Sequence, residues 1–562
     1  MRKILTILLL AFSLTAWGTK YYVDESGNDG TGDGSVGNPW ALVSYACTQA
    51  TMAGDTIYVN PGTINESARI NLARGVHLLG DSTDIPKIIS TYRDASYYAV
   101  WLADETVQDG NQSISYLHFD GSNYTAYGAI MISRRNNVDI HHCTISYFEF
   151  WGARFYVIND VGAVSPTRAS GNKFRHNTVI NCAGYGANGY GGCGMDGQED
   201  FYIGYNDFIQ KNTPGLNGMP IKCVNGNIKN GKIVYNNIYQ NPFTSEEHWD
   251  FSIEIWDIRG GVEIAYNYLE GSIDLGGKIN VKGEYDYCAW VHHNVMGQPT
   301  QSLYEHTRGF ILEAHLNNED IIIEKNYVKN TATGLGFGQP EPSEATVFKN
   351  IRISHNIFES MGITDALATH SKGWGIKSSD PADWQTVDNW EVYNNVITAK
   401  EGTYSTMWGI MIPPMVSTNI KIRNNIVVGF DYAGVFGYND GDPDITCDYL
   451  WIENNCLYNN GNNNVPRYGP DYSPTHNTTQ NNITTDPTFV SSSDFHLQST
   501  SPCRDAGIDV STITGGTDFH GASLYGAAYD IGAFEYQGTG RVLLIIDDKI
   551  ATINYKIPLI DH

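Results

Sequence analysis

FYIGYNDF (201–208), KIVYNNI (232–238), VEIAYNYL (262–269), IIIEKNYV (321–328), IRISHNIF (351–358), WEVYNNVI (390–397), IKIRNNIV (420–427) and LWIENNCL (450–457) are variants of one phrase. Each is an alternating run, an asparagine and a further apolar residue. The asparagines are Asn177, Asn206, Asn236, Asn267, Asn294, Asn326, Asn356, Asn395, Asn425 and Asn455, at gaps of 29, 30, 31, 27, 32, 30, 39, 30 and 30 residues. A fixed period with slack is the signature of a solenoid, in which each repeat packs mainly on its neighbours. Strict alternation before the asparagine predicts a strand with every second residue inward. The asparagine is expected at the bend, where it tolerates left-handed backbone angles and can bond to its equivalent one repeat on. A short second strand follows, then a loop of variable length, then a third strand: 218–224, 250–257, 309–315, 373–378 and 408–412. Ile221, Ile253, Ile255 and Ile376 are its expected inward residues. The chain reads as all-β, a single-stranded right-handed parallel β-helix of three strands per rung.

Composition agrees. Glycine is abundant (58 residues), aromatics make up 12% and charged residues only 17%, which suits many short strands and turns. The net charge of −26 disfavours nucleic acid as a partner. Arg2 and Lys3, the apolar run 4–14 and Ala16-Trp17-Gly18 read as a secretory signal (1–18). The apolar run is too short to span a bilayer. The expectation is a secreted, periplasmic or cell-surface monomer without a membrane span. The solenoid is expected over 19–537, with 538–562 an apolar tail of unassigned role. Nine cysteines leave at least one unpaired. Cys182 with Cys193, or Cys447 with Cys456, could pair; buried free thiols are the equal alternative.

Residues 20–60 carry Tyr21-Tyr22-Val23, Ser26-Gly27-Asn28-Asp29, Asn38-Pro39-Trp40 and Gly54-Asp55-Thr56-Ile57-Tyr58-Val59. The other end carries Asp486-Pro487, Ser501-Pro502-Cys503-Arg504-Asp505-Ala506-Gly507 and Asp530-Ile531-Gly532-Ala533-Phe534-Glu535-Tyr536. Together these resemble secreted right-handed parallel β-helix proteins of the pectin-lyase-like superfamily. The resemblance implies an N-terminal capping helix, expected between Trp40 and Met52, that closes the open end of the solenoid. It implies no single activity, because that superfamily hosts lyases, hydrolases, epimerases and non-enzymes.

Outward positions of the third strand, set in register, give a column of Asp196, Lys222, Glu254, Asp274, Glu313 and Lys377. Neighbouring rungs lie about 4.8 Å apart, so acids and bases alternate along a surface that can hold a polymer. Ser252, Glu254 and Trp256 share one face, as do Glu313 and His315. The loops beside the column carry His248, Trp249 and His306; Trp249 and Trp256 could stack on sugar rings. Two chemistries fit. In β-elimination, Ca²⁺ held by Asp196, Glu254 and Asp257 neutralises a uronate carboxylate, and Lys222, Arg259 or Arg308 removes the neighbouring proton. In hydrolysis, Glu254 pairs with Asp274 or Glu313 across the scissile bond. Lys222, lying between acids, tilts the expectation to a lyase acting on an anionic polysaccharide, with His248, His306, His315, Trp249, Trp256 and Lys377 binding substrate. A non-catalytic glycan-binding solenoid is the remaining alternative. It would need the aromatics but not the acids and bases.

Overall fold

The computed structural model describes residues 18–537, apart from 95–97, 158–166, 183–190, 211–218, 224–225, 241–250, 277–281, 299–306, 314–316, 340–345, 364–372, 379–381, 402–407, 439–443, 470–471 and 524–525. The signal and the tail therefore lie outside the described residues.

The chain is a right-handed parallel β-helix. Each rung contributes three strands, and every strand pairs in parallel with its equivalent one rung on. Lys232–Val234, Asn237–Gln240 and Phe251–Trp256 form one such rung. The second face is a sheet of 14 strands, from Thr63–Glu66 to Cys456–Tyr458. Alternation in the sequence becomes stacked columns of inward residues. Ile203, Ile233, Ile264, Val291, Ile323 and Ile353 are mutual partners on the first face. Ile221, Ile253, Ile273, Phe310, Leu335 and Ile376 are partners on the third. All are fully buried. Outward residues of the first face form an ion-pair series, including Lys232–Glu263 (2.6 Å), Lys421–Glu391 (3.0 Å) and Arg423–Glu453 (2.8 Å). An α-helix, Val43–Gln49, closes the N-terminal end, with Val43, Ala46 and Cys47 buried in the core. Among the described residues, no helix is long and apolar enough to cross a membrane.

The asparagines form a continuous internal ladder. The main-chain N–H and Nδ2 of Asn326 both donate to Oδ1 of Asn356, each at 3.0 Å, and Nδ2 also donates to the carbonyls of Val291 and Glu324. Asn482 adds a further step beyond Asn455. One expectation needs correcting. The left-handed residue is not the ladder asparagine but the residue before it: Tyr205, Tyr235, Tyr266 and His293 have φ of 58°, 58°, 57° and 53°. The asparagine must keep its amide inside, so the reversal of the backbone falls one residue earlier. The left-handed side chains point outward and stack. Tyr116, His142, His176, Tyr205, Tyr235, Tyr266 and His293 form a column of rings at 4.8–5.0 Å. Each contact contributes about 0.5–1.5 kcal/mol toward the cost of the strained backbone.

The column then changes chemistry. Lys325, Asn394, Asn424 and Asn454 take ring positions where the closing segment docks and needs donors, while His355 keeps a ring between Lys325 and Asn394. Lys325 Nζ reaches Thr517 Oγ1 (2.8 Å). Asn394 donates to the carbonyls of Asp530 and Gly532, Asn424 to Ile508 and Asn454 to Ala506.

Candidate functional site

Four third-face strands build the densest group of charges: Met219–Cys223, Phe251–Trp256, Ser272–Gly276 and Arg308–Glu313. Their register places Lys222 opposite Glu254 and Glu254 opposite Asp274. The same line runs on through Ile311 and Gly336 to Lys377. Glu313 and Asp196 belong to a parallel line two residues along: Glu313 opposes Gly276, which opposes Trp256, and Asp196 opposes Tyr156. The single column expected from the sequence is therefore two adjacent ones. The alternation was read correctly, so all six still face the same side; the strand starts were not, and a two-residue slip keeps parity.

Lys222, Glu254, Asp274 and Glu313 point away from the solenoid core yet are buried, Asp274 completely. Lys222 Nζ is in ion-pair contact with Glu254 Oε2 and lies 3.2 Å from Met219 Sδ. Asp274 behaves differently. Burial, then the negative charges of Glu313 and Glu254, then a hydrogen bond with Glu313, hold its pKa far above the ordinary carboxylate range; Lys222 opposes this only in part. No donor of the described residues reaches either Asp274 oxygen. Burial beside two further acids therefore favours the neutral form of Asp274. Glycine at 276 makes room for the cluster. A Cβ there would lie 2.5 Å from Trp256 Nε1 and 2.9 Å from Glu313 Oε2. The half-buried Trp256 and the Glu313 carboxyl thus flank the same glycine.

The three acids expected to bind calcium are each engaged by a separate cation. Arg154 Nη2 holds Asp196 at 3.0 Å, Lys222 contacts Glu254, and Arg259 Nη2 holds Asp257 Oδ2 at 3.1 Å. Among the described residues, no group of three or more histidine, cysteine or acidic side chains is arranged to hold a metal ion. The acids thus do not fit a calcium site in this arrangement. Arg308 lies along the same face, its Cδ 3.5 Å from where a side chain at Gly336 would begin. Lys377 Nζ sits 3.8 Å over the Trp374 ring. His248, Trp249, His306 and His315 lie outside the described residues.

Three features escaped the sequence reading. One is Arg154, which also stacks on Tyr156 at 4.2 Å and Trp151 at 5.0 Å. Another is Gly276, whose signal was a glycine in register with a tryptophan. The third is an aromatic run downstream of Lys377, in which Trp374, Trp408 and Phe436 lie 6.1 Å and 5.1 Å apart.

No family model matches the chain, and no curated protein matches it. Among solved structures, XylC in complex with xylose is similar at 10% identity, covering 92% of this chain and 98% of that one, with a TM-score of 0.39. The Agl-KA catalytic domain is 14% identical over 62% of this chain and 61% of that one (TM-score 0.41). An alginate lyase from Paenibacillus sp. str. FPU-7 is 13% identical over 63% and 94% (TM-score 0.27). The functional reading below rests on the residues of this chain.

Proposed function

We propose that the chain is a polysaccharide-cleaving enzyme that hydrolyses glycosidic bonds with retention, using Glu254 as nucleophile and Asp274 as acid and base. The observation that carries this is a pair of carboxyls on neighbouring rungs in opposite surroundings. Asp274 is fully buried among Glu254 and Glu313, which favours its neutral form, while Glu254 lies in ion-pair contact with Lys222. Environments that push two carboxyls apart in this way assign the acid and the nucleophile. Strand spacing separates the two by about 5 Å, the value for retaining enzymes.

In the first step Glu254 attacks the anomeric carbon while Asp274 gives its proton to the departing oxygen. In the second, Asp274 takes a proton from water, the water oxygen attacks the same carbon, and Glu254 leaves. Lys222 orients Glu254, and Glu313 keeps the Asp274 proton in place. Trp256, Trp374, Lys377 and Arg308 lie along the same face and suit an anionic sugar chain.

β-Elimination, the expectation from the sequence, needs an unprotonated base. Of its candidates, Lys222 and Arg259 are each engaged with a carboxylate, while Arg308 lies along the same face; the paired carboxyls Glu254 and Asp274 are the support for hydrolysis. The test is a panel of uronate and sulfated polysaccharides, with and without a chelator. Hydrolysis gives new reducing ends without the ultraviolet absorbance of an unsaturated product, and the chelator has no effect. An unsaturated product would restore the lyase, and binding without new ends would leave a glycan-binding solenoid.

A further inference from the structure

All nine cysteines are buried thiols. Seven of them, Cys47, Cys143, Cys182, Cys193, Cys223, Cys288 and Cys447, line the solenoid core. The other two, Cys456 and Cys503, occupy a separate apolar cluster with Ile426, Phe495, Ile531 and Phe534. Cys456 opens the last strand of the second face, Cys456–Tyr458. Cys503 belongs to the closing segment. Asn454 Nδ2 donates to the carbonyl of Ala506 at 2.7 Å, Asn424 Nδ2 to that of Ile508 at 2.8 Å, and the Ile531 N–H to that of Cys503 at 2.9 Å. These bonds lay the segment against the last rungs and bring the two thiols together. Both side chains are fully buried in that one cluster, with the Cys456 thiol donating to the carbonyl of Thr485 at 3.4 Å.

We propose that Cys456 and Cys503 form a disulfide that clamps the closing segment to the last rung when the chain folds in an oxidising compartment. The pairings suggested by spacing fit less well. Cys447 lies in the solenoid core and Cys456 in the other cluster, which separates that pair. The Cys182 thiol bonds to the main-chain carbonyls of Ile145 and Ile180. Cys193 and Cys223 are on neighbouring rungs but two positions apart in register, since Cys193 opposes Ile221.

The oxidant is a small or protein disulfide. One cysteine thiolate attacks it, forming a mixed disulfide and releasing one thiolate. The second cysteine thiolate attacks the mixed disulfide, forming the Cys456–Cys503 bond and releasing the other. Two thiols are oxidised, one disulfide is reduced to two thiols, and both protons pass to the released groups. The neighbouring Cys503 thiol, then burial, push the Cys456 thiol up; because both thiols are fully buried, exchange belongs to folding, before the cluster closes. The gain is largest at this place in the fold. The last rung has no following rung to cover it, and the closing segment is held there by asparagine side-chain bonds, the Gly532 N–H to the Asn424 carbonyl and the shared apolar cluster.

The experiment uses the full chain purified from an oxidising compartment, then incubated with oxidised glutathione. The denatured protein is alkylated, digested and weighed. The expected result is one linked pair of peptides containing Cys456 and Cys503, lighter by two hydrogens than the reduced pair, with the other seven cysteines alkylated. In parallel, a reductant should lower the thermal midpoint of the wild type and leave that of Cys503→Ala unchanged. Alkylation of both Cys456 and Cys503 in the folded protein would overturn the proposal, as would linkage of either to another cysteine. Because the first arm uses the unaltered chain, a variant that fails to fold does not weaken it. The outcome is also independent of whether the third face cleaves sugars.

Discussion

Replacing Asp274 by Asn keeps the shape of the side chain and removes the proton it gives. Asp274→Asn should lower kcat/KM by about 10²–10⁴-fold, the range for loss of a positioned acid, while far-ultraviolet circular dichroism stays unchanged. The pH dependence has a defined sign. The folded pKa of Asp274 is raised, so its contribution to stability is complete below the ordinary aspartate value and is lost as pH rises through the folded one. Activity should fall over the same rise. Asp274→Asn should therefore lose less stability than the wild type as pH rises from the ordinary aspartate value, measured by denaturant titration at several pH values. Gly276 is the second residue whose chemistry is narrow. Gly276→Ala puts a methyl 2.5 Å from the Trp256 indole nitrogen and 2.9 Å from Glu313. The expected cost is about 1–3 kcal/mol of stability from overpacking, with activity reduced because Trp256 and Glu313 are displaced together.

The asparagine ladder turns ten similar residues into one element. Asn326→Ala removes three donated bonds, those of Nδ2 to Asn356 Oδ1 and to the carbonyls of Val291 and Glu324. It also orphans the N–H and Nδ2 of Asn294, which both donate to Asn326 Oδ1. Each buried group left unpaired costs about 1–3 kcal/mol, so a loss of about 3 kcal/mol or more is expected in a denaturant titration. The closing segment is the element most sensitive to pH. Burial first, then Asp530, Asp518 and Asp505, raise the Glu535 carboxyl to about 8 from its ordinary 4.5. Its contribution to stability is present below the ordinary value and is lost as pH rises through about 8. Asp518 and Asp530 shift in the same direction. The thermal midpoint should fall between about pH 5 and pH 8 in the wild type, and Glu535→Gln should flatten that fall. At this scale the sequence was legible where one residue type repeats. The ladder, the inward isoleucines and the capping helix could be read because burial imposes a period of two or a recurring amide. The glycines at the corner of the third face could not. Gly309, Gly334, Gly375 and Gly409 form a column whose Cβ atoms would strike the next rung's carbonyl at 2.2–2.7 Å, a constraint set by backbones far apart in sequence.

Across the whole molecule, the proposed chemistry falls on one face while the others serve cohesion. The first face carries ion pairs, the corner carries stacked rings or the closing segment, and the core is stacked isoleucine and phenylalanine. The third face brings three buried carboxyls, Glu254, Asp274 and Glu313, beside Lys222. Its location was legible from the repeat, because the alternation fixes which side each residue faces. The charge states were not. Whether Lys222 serves as a base or Asp274 as an acid depends on burial and on partners one rung away, and neither is written in a linear spacing. The measurement that bears most directly on the reading is nuclear magnetic resonance of the first product formed from whichever polysaccharide the panel identifies. The account expects the anomer with retained configuration, and none in Glu254→Gln. An inverted anomer, an unsaturated sugar, or full activity in Glu254→Gln would contradict it.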